Sequence, residues 1–179
     1  AFMELMSLDP DGNPLYYTTK NADAAESTST DQLYSGGSLG LSLDGTGMTA
    51  GEWDGGGVLT THQEFNNTGS SRVTQKDTPS GTHYHATHVA GTIIAGGVQA
   101  QSKGMAYNAN LHAYDWTDDV TEMAIAAAAP DNLLISNHSY GYVIGWYYDG
   151  GWLYSGAGQE FFGYYYSETA VWDQIAVDA

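Results

Sequence analysis

The chain predicts an α/β domain: a mostly parallel sheet as the middle of three layers, with helices on both faces. Three observations carry that expectation. The stretch His85–Ala95 places small or apolar residues at 86, 89, 90, 93 and 94, the repeat of one buried helix face. Strand-like runs alternate with helical ones along the chain, which implies parallel strands joined across the sheet by helices. With 179 residues, 42% of them hydrophobic, the chain is long enough for one domain with a real core.

Residues 1–46 are polar and broken by turns (Asp9-Pro10-Asp11-Gly12, Gly36-Gly37, Asp44-Gly45), so they read as an N-terminal arm or leader without a core of its own. Residues 47–179 hold the α/β part. Met48–Trp53 reads as a short strand ending at Asp54, followed by Gly55-Gly56-Gly57. A carboxylate at that end of a strand, beside glycines, lies where open α/β sheets build their sites. Residues 66–82 are loop-like around a brief Arg72-Val73-Thr74, and the His85 helix follows. Lys103–Asn108 reads as a surface turn, and Leu111–Trp116 alternates as a strand does. Asp119-Val120-Thr121-Glu122 has the pattern of a capping box opening a helix Val120–Ala129, which Pro130 stops. Leu133–Asn137 reads as a buried strand. Tyr142–Tyr166, crowded with Tyr, Trp and Gly, reads as a long decorated loop or hairpin, and Glu168–Val177 as a final helix.

Composition excludes some classes of function. There are 21 Asp and Glu against 4 Lys and Arg, a formal charge of −17. Such a surface repels phosphate backbones and anionic lipid, so neither nucleic acid nor membrane is an expected partner. Without cysteines there is no disulfide or thiolate metal site. No apolar run is long enough to span a bilayer.

His85-Ala86-Thr87-His88-Val89-Ala90-Gly91-Thr92 resembles the H-G-T-H-V-A-G-T signature of the subtilisin-like serine proteases, the subtilases. Glu52–Val58 followed by His62-Gln63-Glu64-Phe65 resembles that family's aspartate motif. Gly104–Ala109 resembles its G-V-A-P-x-A segment, and Ser136–Gly141 the strand ending in S-x-G beside the substrate cleft. The resemblance runs from about Gly47 to Ala179. It implies a subtilisin-like fold and hydrolysis of polypeptide substrates by an Asp-His-Ser triad. His85 would be the base and Asp54 the carboxylate that holds it. The order Asp then His is the subtilisin order. Ser139, Tyr140 and Gly141 would bind an extended peptide by strand addition. His62 and His88 are read as structural, hydrogen-bonded histidines. No cofactor is needed for this chemistry. Structural calcium is an expectation of the resemblance, with no EF-hand loop present and no ligands identified.

The sequence departs from the family pattern in one respect that matters: G-T-S-x-A, the nucleophile motif, and the oxyanion-hole Asn that precedes it are absent. The expectation is therefore a truncated subtilase domain. It would be secreted and inactive as an isolated chain, with the remainder of the protease domain C-terminal to residue 179 as its partner. Half a sheet would also expose apolar faces and an open edge, so aggregation is expected.

Three other readings compete. Gly36-Gly37-Ser38-Leu39-Gly40 fits the nucleophile elbow of α/β-hydrolases, but it lacks a strand before it and a helix after it. His83, His85 and His88 could suggest zinc, but their spacing is not that of paired ligands on a helix. Residues 142–166 could make a subtilase-derived domain a peptide- or carbohydrate-binding module rather than an enzyme.

Overall fold

The computed structural model describes residues 3–8, 14–18, 21–66, 69–128, 130–131, 133–141, 145–148, 150–155, 162–165 and 167–178. The elements are β1 (Met3–Leu8), β2 (Pro14–Thr18), α1 (Asn21–Ser27), β3 (Thr49–Asp54), β4 (Val73–Gln75), α2 (Tyr84–Ile94), β5 (Asn110–Asp115), α3 (Asp119–Ala127), β6 (Ser136–His138), β7 (Gly145–Tyr148), β8 (Trp152–Ser155) and α4 (Ser167–Asp178). Four strands form the central sheet in the order β4-β5-β3-β6, all parallel, while β1–β2 and β7–β8 are separate antiparallel pairs.

Alternation along β3 and β5 divides the interior in two. Ala50 is paired with Leu111 and Glu52 with Ala113, and these side chains share the face covered by α2. There Ala86, Ala90 and Ile94 meet Val73, Leu111 and Ala113. Val89 and Ile93, on the flank of the same stripe, are half-buried. Full burial of a side chain such as Ile94 stabilises the fold by about 1.5–3 kcal/mol. The opposite face carries Trp53, Tyr114 and Leu133 against Ala126 of α3. Helices on both faces of a mostly parallel sheet make the three-layer α/β fold that the sequence predicts.

Helix α2 joins β4 to β5, and α3 joins β5 to β6. Both connections run in the same direction across the sheet, yet their helices lie on opposite faces. Two right-handed crossovers running the same way would share a face, so one of the two is left-handed, against the strong general preference.

Residues 21–46 are tied to this body by polar contacts. Asn21 Nδ2 donates to the carbonyls of Thr92 (3.1 Å) and Lys103 (2.9 Å), and Tyr34 Oη to that of Met105 (2.9 Å).

Two local expectations fail. The strand expected over Leu133–Asn137 is shorter and later: it runs over Ser136–His138, with the Ile135 carbonyl accepting from Gly51 N at 2.9 Å, and the side chains of Leu134 and Ile135 are exposed. Leu133 alone turns inward, over Gly51, where an added Cβ would come within 2.5 Å of it. The capping box also does not form. Asp118, at the cap position of α3, makes no side-chain cap bond. Asp119 accepts from its neighbour Val120 and from Tyr140, and Glu122 accepts from the Trp53 indole. Both carboxylates are thus taken by other bonds.

Candidate active site

The site lies at the carboxyl end of β3. Asp54 is the last residue of that strand and is 2% exposed. Gly56 then adopts φ +92°, which a side chain rarely tolerates, and a Cβ there would stand 3.0 Å from that of His83. The next residue, Gly57, donates to Gly81 O and accepts from His83 N, both at 2.8 Å. Glycine therefore lets two backbones meet, and their meeting sets the start of α2 beside Asp54. His83 caps that helix, its Nδ1 accepting from His85 N at 3.2 Å.

His85 Nδ1 lies 2.8 and 2.9 Å from the two carboxylate oxygens of Asp54. A carboxylate can only accept, so Nδ1 carries the proton and Nε2 holds the lone pair. Among the described residues, nothing hydrogen-bonds to Nε2. The imidazole is half exposed toward a cleft of about 590 Å³, lined among others by Tyr84, Trp116, Ser139, Tyr140 and Gly141. The residues named from the sequence thus border one cleft.

Other groups in the site are not evident from the sequence. Trp116 lies across Gly55, where an added Cβ would meet its ring at 2.9 Å, and stands edge-on to Tyr140. Tyr140 Oη donates to Asp119 Oδ2 at 2.7 Å and so accepts from His138 Nδ1 at 2.9 Å. The other nitrogen of His138, Nε2, then accepts from Ser136 Oγ at 3.2 Å. Each proton in this chain has one place to go, and His138 is neutral. Burial holds its pKa below that of an ordinary imidazole, against the pull of Asp119. Burial, with Asp119 beside it, raises the Tyr140 hydroxyl far above the usual phenol. Trp53 stacks between Tyr114 (4.2 Å) and His138 (5.2 Å), which is packed in turn against Trp172 of α4. The loop after β6 is therefore braced from below.

Among the other histidines, His62 is structural in a definite way: its Nδ1 accepts from Glu64 N at 3.3 Å and caps a short turn. His88 is exposed, and among the described residues its ring makes no hydrogen bond. Ser38 sits in a turn, its hydroxyl donating to Gln32. Among the described residues no three His, Asp or Glu side chains converge as a metal site requires. Of the cleft's other acids, Asp115 accepts from the backbone N–H groups of Gly56 and Thr117, and its own N–H donates to Asp77. No helix among the described residues is long and apolar enough to cross a membrane.

Fold and site define an α/β domain with a histidine–carboxylate pair at the carboxyl end of its parallel sheet. The model of the subtilase family matches residues 19–178, and the chain belongs to that family, whose domain is of the serine-protease type. A comparison with curated proteins finds no match.

Proposed function

We propose that this chain supplies the base and the orienting carboxylate of a secreted serine endopeptidase. The observation that carries the reading is the bond from His85 Nδ1 to both oxygens of the buried Asp54, at the edge of the cleft. With its proton fixed on Nδ1, the imidazole has Nε2 free to take the proton of a serine hydroxyl as that oxygen attacks a peptide carbonyl. The same nitrogen then returns the proton to the leaving amine. Asp54 stabilises the imidazolium formed in between. The nucleophile in this reading is a serine outside residues 1–179, on the polypeptide that continues from Ala179. The chain holds no G-T-S-x-A segment of its own.

The substrate is an extended polypeptide. β6 is the edge of the described sheet, with Ser139, Tyr140 and Gly141 following it into the cleft. Backbone groups there suit strand addition. The chemistry calls for no cofactor.

The test is hydrolysis of a fluorogenic peptide by protein expressed from the longer reading frame, beside the 179-residue chain. The longer protein should cleave, and the 179-residue chain should not. Asp54→Asn should lower kcat by about 10³–10⁴-fold, and His85→Ala by at least as much. Undiminished cleavage by the His85→Ala protein would overturn the assignment.

A further inference from the structure

The β7–β8 hairpin presents a second surface. Its register pairs Trp146 with Tyr154 and Tyr148 with Trp152. Directly opposed residues, and residues two apart, point to the same side of a strand pair. All four aromatic side chains therefore stand on one face, and they are 45–71% exposed. Within each pair the ring centroids are 5.3 and 5.7 Å apart. On the other face Gly145 is buried, and an added Cβ there would lie 3.2 Å from the Phe162 ring, while the paired Tyr147 and Leu153 are 37% and 43% exposed. Four large rings turned outward in this way mark an interaction surface.

We infer that this aromatic face docks a cationic polypeptide segment with arginine or lysine at alternate positions. Charge selects the occupant. From Gly104 to Ala179 the sequence has ten Asp and Glu and no Lys or Arg, so this part of the chain offers the rings no cation of its own. Aromatic faces attract cations, and a chain of net charge −17 raises their local concentration. The same charge opposes a second copy of this chain. Lys103 illustrates the contact elsewhere in the fold, its Nζ lying 3.4 Å from the Tyr107 ring centroid.

Spacing agrees with charge. The two ring pairs lie two residues apart along the strands, about 7 Å, and the side chains on one side of an extended peptide repeat at the same interval. Residues i and i+2 of such a segment meet one ring pair each. Arginine suits the face better than lysine, because its planar guanidinium stacks. The inference does not depend on Asp54 or His85.

The test titrates the protein with a synthetic peptide of five Arg-Ser repeats and reads binding by calorimetry and tryptophan fluorescence. Saturable binding is expected. It should weaken about tenfold in Trp146→Ala/Trp152→Ala and only a few-fold in Trp146→Phe/Trp152→Phe, which keeps the π faces. Binding should be unchanged in Asp54→Asn/His85→Ala, so that loss of hydrolysis and loss of binding are separable. A Glu-Ser peptide should not bind, a contrast that needs no variant to fold. The inference is overturned if the Arg-Ser peptide fails to bind, or if the alanine variant binds it as tightly as the parent, which would leave net charge alone as the cause. Binding of cellohexaose in its place would make the face a glycan surface and equally overturn it. So would sedimentation showing that the rings are buried between two copies.

Discussion

Glu52→Gln should stabilise this protein, by an amount that grows with pH. Glu52 stands in the middle of β3, two residues before Asp54 and on the same face, and is 1% exposed. Neither of its carboxyl oxygens has a hydrogen-bond partner among the described residues. Its neighbour across β6, Asn137, donates to Ser139 instead. Burial, with the charge of Asp54 added, pushes its pKa from 4.5 up to about 9. The sign follows from linkage. Below pH 4.5 both folded and unfolded states hold the proton, and Glu52 has no effect on the pH dependence. Above it the unfolded chain releases the proton while the folded state keeps it, so stability falls by about 1.4 kcal/mol per pH unit until about pH 9. At pH 7 the loss is about 3 kcal/mol. Glutamine has the same shape, is neutral at every pH, and leaves its polar atoms as poorly paired as those of the protonated acid. Near pH 4.5 the two proteins should therefore match. At pH 7 the variant should melt about 6–12 °C higher. The assay is thermal or urea unfolding followed by tryptophan fluorescence at pH 5, 6, 7 and 8. A stability difference that stays constant across that range would refute the reasoning, because it would mean that Glu52 keeps its charge, or a partner for it, in the folded state.

Other perturbations follow from the same structure. Glu64 accepts from the backbone N–H groups of Gly97, Val98 and Gln99 at 2.7–3.0 Å. Glu64→Gln turns an amide N–H₂ toward those donors and should cost about 2 kcal/mol in urea unfolding. Gly104→Ala places a Cβ 2.4 Å from Ala95 N, a clash with backbone, and should cost about 3 kcal/mol by the same assay. His83→Ala removes the cap of α2 and should cost about 1 kcal/mol; in the endopeptidase proposed above it should lower kcat more than it raises KM, because it loosens the helix start that holds His85. Arg72 donates to the carbonyls of Ala109, Glu64 and Ile94. Arg72→Met leaves three buried carbonyl acceptors without their donor and should cost about 3 kcal/mol, measured by denaturant midpoint.

The elements around the site were legible wherever a local pattern and a local role agreed. Helix α2 shows its buried stripe in its spacing, and β3 ends at the predicted Asp54 because three glycines follow. The loop-like glycines were legible as turns, but their packing against residues 81–83 was not, since it depends on a contact some 25 residues away in the chain. The start of β6 is not legible, because Leu134 and Ile135 are apolar and composition cannot say which apolar residues a fold leaves outside. The capping box fails for a related reason: Trp53 of β3 and Tyr140, in the loop after β6, reach the two carboxylates from distant parts of the chain. Glu52 is the plainest omission. A glutamate within a strand reads as solvent-facing, and only the three-layer packing encloses it.

One feature ties folding to function directly. Trp53 and Asp54 are consecutive, and the pleat sends the indole into one core and the carboxylate into the cleft on the other. A slip of β3 by one residue against β5 would exchange them. It would put a charged carboxylate into the aromatic stack with Tyr114 and the indole where His85 needs its acceptor. A mispaired molecule would therefore be unstable and inactive together, so selection for activity also selects the correct register.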